Sequence, residues 1–221
     1  MTHEEKKKII ERIITDFGAL PQDESSGIFM AGLPGAGKTE LSRALIEVSG
    51  VSPVRIDMDE LASFAKGYKP ERADEFRLIG TALLSQLYST VLKNRLDFIM
   101  DGTFSSKNAE LNIERALKRG YNLKIVYVYQ DPKLAWEFTK AREKVEHRAI
   151  KFDGFIETYY KIFKNIKEIT QKYNEQINLN IVYKTPTNEI GKWEKYVCHS
   201  KIDELIKIEY NKDKLIKYIK G

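Results

Sequence analysis

The run Gly32-Leu33-Pro34-Gly35-Ala36-Gly37-Lys38-Thr39 has glycines, a lysine and a hydroxyl residue at the spacing of a phosphate-binding loop. Gly35 and Gly37 allow backbone conformations that a Cβ forbids. Successive N–H groups can then converge into an anion nest. A helix that follows would aim its positive dipole end at the same point. Lys38 adds a full charge at the terminal phosphates, and Thr39 offers a hydroxyl to magnesium. Gly32 to Thr39, together with Glu40, are the expected nucleotide contacts. Such a loop binds a triphosphate but does not tell a kinase from a switch or a motor.

Two further groups bear on that choice. Asp57-Met58-Asp59 places two carboxylates where a second strand should end, at the edge where ligands bind in such sheets. One can hold the magnesium shell while the other takes a proton from an acceptor hydroxyl. The competing reading makes Asp59 the cap of a short helix starting at Glu60. Arg142, Lys144, His147 and Arg148 lie together between two expected helices. Cations there can neutralise charge on a transferring phosphoryl group, or simply complement a helix end. A GTP switch would need an Asn-Lys-x-Asp element, and Asn211-Lys212-Asp213 lacks the right fourth residue. A motor would need a water-polarising acid beside Asp101, where Gly102 and Thr103 stand.

The elements that must position these residues alternate along the chain. Strands are expected at 27–31, 54–56, 98–100, 123–128 and 179–183, with a sixth at 196–198. Helices are expected at 4–17, 38–48, 60–64, 71–94, 107–118, 131–144, 155–173 and 202–218. Leu41, Ala44, Leu45 and Val48 form the apolar face of the helix after the loop. Asp131-Pro132 reads as a cap with proline in the first turn. Trp136 and Phe138 read as core, and at least one of Tyr127 and Tyr129 is expected at the nucleotide edge. Tyr68 and Lys69, before Pro70, could close over an acceptor, though a plain surface turn explains them as well. The fold expected is an α/β, kinase-like P-loop NTPase fold in three layers: a mostly parallel sheet of five to six strands with helices on both faces. Residues 1–24 would be an N-terminal helix and linker, 25–185 the kinase domain and 186–221 a C-terminal strand and helix extension.

Composition limits the alternatives. The chain has 221 residues, 42% apolar, with a net charge of +5. Lysines are mixed with Asp and Glu throughout, as on ordinary solvated faces, so charge alone gives nucleic-acid binding little support. No apolar run is long enough to cross a bilayer, and Met1 to Lys8, polar and charged with no apolar stretch after it, is not expected to start a leader peptide. The single Cys198 fits a reducing, cytoplasmic setting.

The loop, the segment Val54-Arg55-Ile56-Asp57-Met58-Asp59 and the segment Phe98-Ile99-Met100-Asp101-Gly102-Thr103 together resemble the zeta toxin family of P-loop kinases. The resemblance runs over residues 27–183. It implies ATP and Mg2+ as cofactors, Asp59 as general base, and Lys38, Arg142 and Arg148 on the transferring phosphate. Thr39 and Asp57 would hold the metal. Asp57, Asp101, Thr103 and Ser105 would line the acceptor site. The best-known members phosphorylate UDP-N-acetylglucosamine at its 3′-hydroxyl, and a small antitoxin blocks their nucleotide site. This sequence departs from them at Asp101, where the family usually has Glu, and at Ser105, where sugar-nucleotide kinases carry an arginine. Arg142 and Arg148 are also closer together than the family's pair. Another nucleotide acceptor, such as NAD or a nucleoside, therefore stays open beside the sugar nucleotide, as does a nucleic-acid end.

Overall fold

A computed structural model describes residues 1–147, 149–206 and 210–221. Its centre is a six-stranded sheet ordered β2-β3-β1-β4-β5-β6, made of β1 (Ser26–Ala31), β2 (Val54–Asp57), β3 (Phe98–Asp101), β4 (Asn122–Tyr129), β5 (Ile177–Lys184) and β6 (Ile190–Glu194). Strands β1 to β5 pair in parallel, and β6 runs antiparallel to β5. The parallel strands are apolar almost throughout, as strands covered on both faces must be. The order reverses on either side of β1. In open α/β sheets ligands bind at that switch point, at the carboxyl ends of the strands, which is where β1 runs into the glycine loop.

The helices are α1 (His3–Phe17), α2 (Lys38–Ser49), α3 (Met58–Ser63), α4 (Arg77–Lys93), α5 (Ala109–Leu117), α6 (Pro132–Glu146), α7 (Phe152–Tyr173), α8 (Ile202–Leu205) and α9 (Lys212–Lys220). Several start as their sequences require. Thr2 and Glu5 form a reciprocal capping box on α1. Asp131 accepts from the N–H groups of Lys133 and Leu134, with Pro132 in the first turn of α6. The apolar stripe of α1 buries Ile10 and Ile13 against α4 and β2.

Five expectations need correction. The sixth strand is Ile190–Glu194, not 196–198. It forms because the turn after β5 reverses the chain through a left-handed Asn188 (φ 63°), whereas Tyr196 is itself left-handed (φ 54°). The helix expected at 71–94 is a 3-10 segment, Pro70–Phe76, followed by α4. Arg72 inside that segment has non-helical angles. The C-terminal helix is two pieces, α8 and α9, with Asn211 capping the second through Lys214 N–H. Residues 207–209 of that expectation lie outside the described residues. On α2, Leu41 is buried but Val48 is 79% exposed and Ala44 faces out, so its apolar face is narrower than the spacing suggests. Finally, α3 starts at Met58, so Asp57 and not Asp59 is its cap.

Phe98 is the hub of the core under β1 and β3. Its ring lies 5.4 Å from Phe29, 5.3 Å from Tyr88 and 5.6 Å from Tyr121, each pair tilted or edge-on. Trp136 packs on Phe152 and Phe155, in keeping with a core role. Truncating Phe98 to Ala should lower unfolding stability by about 3–5 kcal/mol, measured by urea titration. A loss below about 1 kcal/mol would mean the neighbouring rings close the gap.

Candidate functional site

The glycine loop is held from three sides. Gly32 N–H donates to Thr103 O (3.2 Å) at the exit of β3. Gly35, at φ 77°, lies so close to α6 that a Cβ would come within 2.2 Å of Ala135 O and 2.7 Å of Thr139 Oγ1. Gly37, at φ 82°, lies under the β5–β6 turn, where a Cβ would meet Asn188 and Lys184 at 3.0–3.2 Å. These two glycines are required by close packing as well as by backbone angle. Gly37 also begins α2 with no side chain to cap it, so the first-turn amides face the loop's interior. Leu33 O accepts from both Ala36 N–H (3.1 Å) and Lys38 Nζ (2.7 Å), closing the loop on itself. Pro34 is half-buried and Glu40 is exposed on the first turn of α2.

Burial pushes the Lys38 ammonium down to about 8, against the opposing pull of Asp101, and Arg142 adds to the drop. Glu40 and Asp57 pull it back. Thr39 is half-buried beside it. Among the described residues, no group of three His, Cys, Asp or Glu side chains is arranged to hold a metal by itself. A divalent ion here would have to share its ligands with a phosphate chain.

The acid ends of β2 and β3 stand side by side, with Asp57 in register with Asp101. Between them is Arg55, only 8% exposed. Its Nη2 donates to Asp57 Oδ2 (2.6 Å) and Asp101 Oδ2 (2.7 Å), and its Nη1 to Glu60 Oε2 (2.5 Å). Its Nε donates to the same Asp101 oxygen (3.1 Å), which also accepts from Ser42 Oγ on α2 (2.9 Å). Asp101 is thus buried within the protein's own network. Burial raises the Asp57 carboxyl above its usual range; Arg55 opposes the shift, while Asp59 and Asp101 add to it. Asp57 Oδ1 accepts from the N–H groups of Asp59 (2.9 Å) and Glu60 (3.5 Å). Asp59 therefore sits half-buried in the first turn of a helix whose cap is tied to Arg55.

The remaining expected residues are placed as follows. Thr103 Oγ1 and Ser105 Oγ are 2.7 Å apart beside the loop, with a left-handed Phe104 between them. Arg142 is exposed on α6, and its Nε donates to Glu146 Oε1 (2.7 Å). Its charge is nevertheless felt at Lys38. Lys144 and His147 are exposed at the end of the same helix. Arg148 lies outside the described residues. Tyr127 is buried in the core and Tyr129 is half-buried against Tyr183. Sequence reasoning missed Arg55, although a charged residue inside the apolar run Val54–Ile56 was a signal. It also missed the β5–β6 turn over Gly37. A cavity of about 210 Å3 opens beside Arg55 between α1 and α3, walled by Ile13, Phe17, Leu61 and Phe64.

The burial of Lys38 has a consequence for stability. The folded chain releases this proton near pH 8, whereas an unfolded lysine keeps it to about 10.5. The unfolded state then binds more protons, so this group makes stability rise between those values. The urea midpoint of the wild type, less that of Lys38→Met, should climb from pH 8 to pH 10. A flat or falling difference would mean that the ammonium is well solvated.

Comparison with known proteins places this geometry. The sequence matches the family model described as Zeta toxin over residues 12–195. No curated protein matches it. A solved structure from the PezAT chromosomal toxin–antitoxin system of Streptococcus pneumoniae superposes with a TM-score of 0.72 at 16% identity, covering 100% of this chain and 95% of that one. A chain of the AvrRxo1-ORF1:-ORF2 complex gives 0.64 at 13% identity, covering 92% of this chain and 73% of that one. The sheet order, the glycine loop and its setting are those of a kinase-like P-loop fold, and the chain belongs to the zeta toxin family.

Proposed function

We propose that this chain is an ATP- and Mg2+-dependent kinase that transfers the γ-phosphate to a hydroxyl of a nucleotide-like small molecule, acting as the toxin of a toxin–antitoxin pair. One observation carries the reading. A closed amide loop with a half-buried lysine stands next to paired acid-ended strands, and a further carboxylate, Asp59, heads the adjoining helix. The residues present fit the triphosphate: the uncapped start of α2 and the left-handed Gly35 and Gly37 form an anion cradle.

In this reading, residues Gly32 to Thr39 bind and orient the phosphates, with Glu40 beside them on the first turn of α2. Lys38 regains its full charge against them. Thr39 and Asp57 would hold the metal, which would supply positive charge against that developing on the transferring group. Asp59 accepts the proton of the acceptor hydroxyl. Arg142 supplies positive charge to the transferring group, the role the resemblance also gives Arg148. Thr103 and Ser105 line the acceptor with Asp57, and Asp101 stands behind them with its carboxylate held by Arg55 and Ser42. The setting is cytoplasmic, supported by the lone, exposed Cys198. Among the described residues no helix is long and apolar enough to cross a membrane.

UDP-N-acetylglucosamine, the acceptor of the best-known members, is the first to offer. Another nucleotide such as NAD, or a nucleoside, is the alternative; Asp101 is spent on Arg55 and Ser42 and no arginine stands at position 105, which favours the nucleoside, since NAD carries a pyrophosphate as the sugar nucleotide does. The toxin reading rests on family membership and on the toxin–antitoxin system of the pneumococcal relative. An antitoxin that covers the nucleotide cleft is the partner this implies.

Incubation with labelled ATP and a metabolite extract, followed by mass spectrometry, should reveal one phosphorylated nucleotide species. Asp59→Asn should keep Mg·ATP binding by calorimetry and lose about 100-fold or more in turnover. Lys38→Ala should lose at least about tenfold in ATP affinity. Transfer by Asp59→Asn at the wild-type rate would remove Asp59 as the base. Expression of the wild type, but not of Lys38→Ala, should arrest bacterial growth; equal growth would count against the toxin reading.

A further inference from the structure

A parallel strand covered on both faces normally carries apolar residues, and β2 does so at Val54 and Ile56. Arg55 breaks that rule in the strand's interior with a side chain only 6% exposed. A buried ion pair is a poor stabiliser, because desolvation costs about as much as the pair returns, and an apolar side chain of similar volume would serve stability as well. The arginine therefore calls for a reason beyond holding the fold together.

Its contacts supply one. The planar fork reaches two strand ends and a helix at once: Asp57 on β2, Asp101 on β3 and Glu60 on α3. On Asp57 the labour is divided between oxygens. Oδ2 is held by Arg55, while Oδ1 accepts the N–H groups of Asp59 and Glu60. The cap that starts α3 is thereby anchored to the floor of the sheet, and Asp59 rides on its first turn. Ser42 adds a tie from the helix that follows the phosphate loop, through the same Asp101 oxygen. One guanidinium thus links the phosphate-binding helix, both acid-ended strands and the helix that bears the expected base. Lys38 and Arg142 already act on Asp57 and its surroundings as positive charge. What Arg55 adds is geometry.

We infer that Arg55 is a positioning residue for phosphoryl transfer: it sets the placement of Asp59 relative to the phosphate loop by clamping Asp57 and Asp101. This rests on the kinase reading above. The clamp needs a fork, so Arg55→Lys keeps the charge and loses the geometry, because one ammonium cannot span all three carboxylates. That variant should fold, bind Mg·ATP within about twofold of the wild type and keep its KM for ATP. Its kcat should fall about 10- to 100-fold. In an Asp101→Asn background, where the clamp is already broken, the same change should cost less than about threefold, since residues acting as a unit are not additive. Independently of turnover, the amide resonances of Asp59 and Glu60 should shift in Arg55→Lys while those of Gly35 and Gly37 stay in place.

The outcomes separate. If the wild type transfers no phosphate to any acceptor, the kinase reading and the role of Arg55 in it fall together, even where the amide shifts confirm the clamp. If the wild type is active and Arg55→Lys keeps kcat within about twofold, or its cost is undiminished in Asp101→Asn, the inference fails and the kinase reading stands. Unmoved Asp59 and Glu60 amides would overturn it on structural grounds alone.

Discussion

Three carboxylates and one guanidinium share the space where β2 and β3 end. Bringing them out of water is expensive, and no single pairing repays it. What makes the arrangement tenable is that the hydrogen-bonding capacity is spent in several directions. Asp101 Oδ2 accepts from Arg55 and Ser42, Asp57 accepts from Arg55 and from the head of α3, and Glu60 remains half in solvent. Removing Arg55 would leave the Asp57 and Asp101 carboxylates without their cation next to the phosphate loop. The catalytic edge of the sheet is therefore built around a fixed polar network and not around apolar packing, which begins one layer below at Phe98 and Phe29.

The phosphate loop was legible because everything that defines it is contiguous. The glycines, lysine and threonine fall within one turn of chain, with an apolar strand before and a helix after. The alternation of strands and helices was legible for the same reason, and so was the Asp131-Pro132 start of α6. The Arg55 network was not. Its members, at positions 42, 55, 57, 60 and 101, are brought together only by the pairing of β2 with β3 and the return of α2 across them. In the sequence alone, Asp59 reads as the base or else as the cap of a helix from Glu60, with Asp57 on the metal. The chain distinguishes them by helix register: starting α3 at Met58 makes Asp57 the cap and sets Asp59 within the turn. The sixth strand was misplaced because its cue is a left-handed asparagine in a tight turn, a conformation that one sequence does not announce.

The same network bears on what the acceptor site can read. A longer acid at position 101 would reach further from the strand end, and an arginine at 105 would offer charge to a pyrophosphate. Here the shorter Asp101 is turned inward, and Ser105 is hydrogen-bonded to Thr103. In the proposed reading, the edge that would face an acceptor is rich in hydroxyls and poor in cations, which suits an acceptor without a diphosphate.

The cations that remain are arranged asymmetrically along α6. Its first half is pinned: Asp131 caps it, Ala135 is fully buried, and Ala135 O and Thr139 press directly on Gly35. Its last turns, bearing Arg142 and Lys144, project into solvent and end at a left-handed His147. A helix fixed at one end to the phosphate loop cannot swing as a whole without distorting that loop. Any approach of Arg142 to a bound phosphate must then come from side-chain rearrangement, beginning with the loss of its surface pair with Glu146. That pair is half exposed, and exposed pairs of this kind are worth about 0.3–0.5 kcal/mol. A phosphate oxygen, offering a full charge in a partly desolvated cleft, outcompetes it easily. In the proposed reading the surface pair with Glu146 holds the arginine at little cost, while the placement of the helix itself is constrained by its close approach to Gly35.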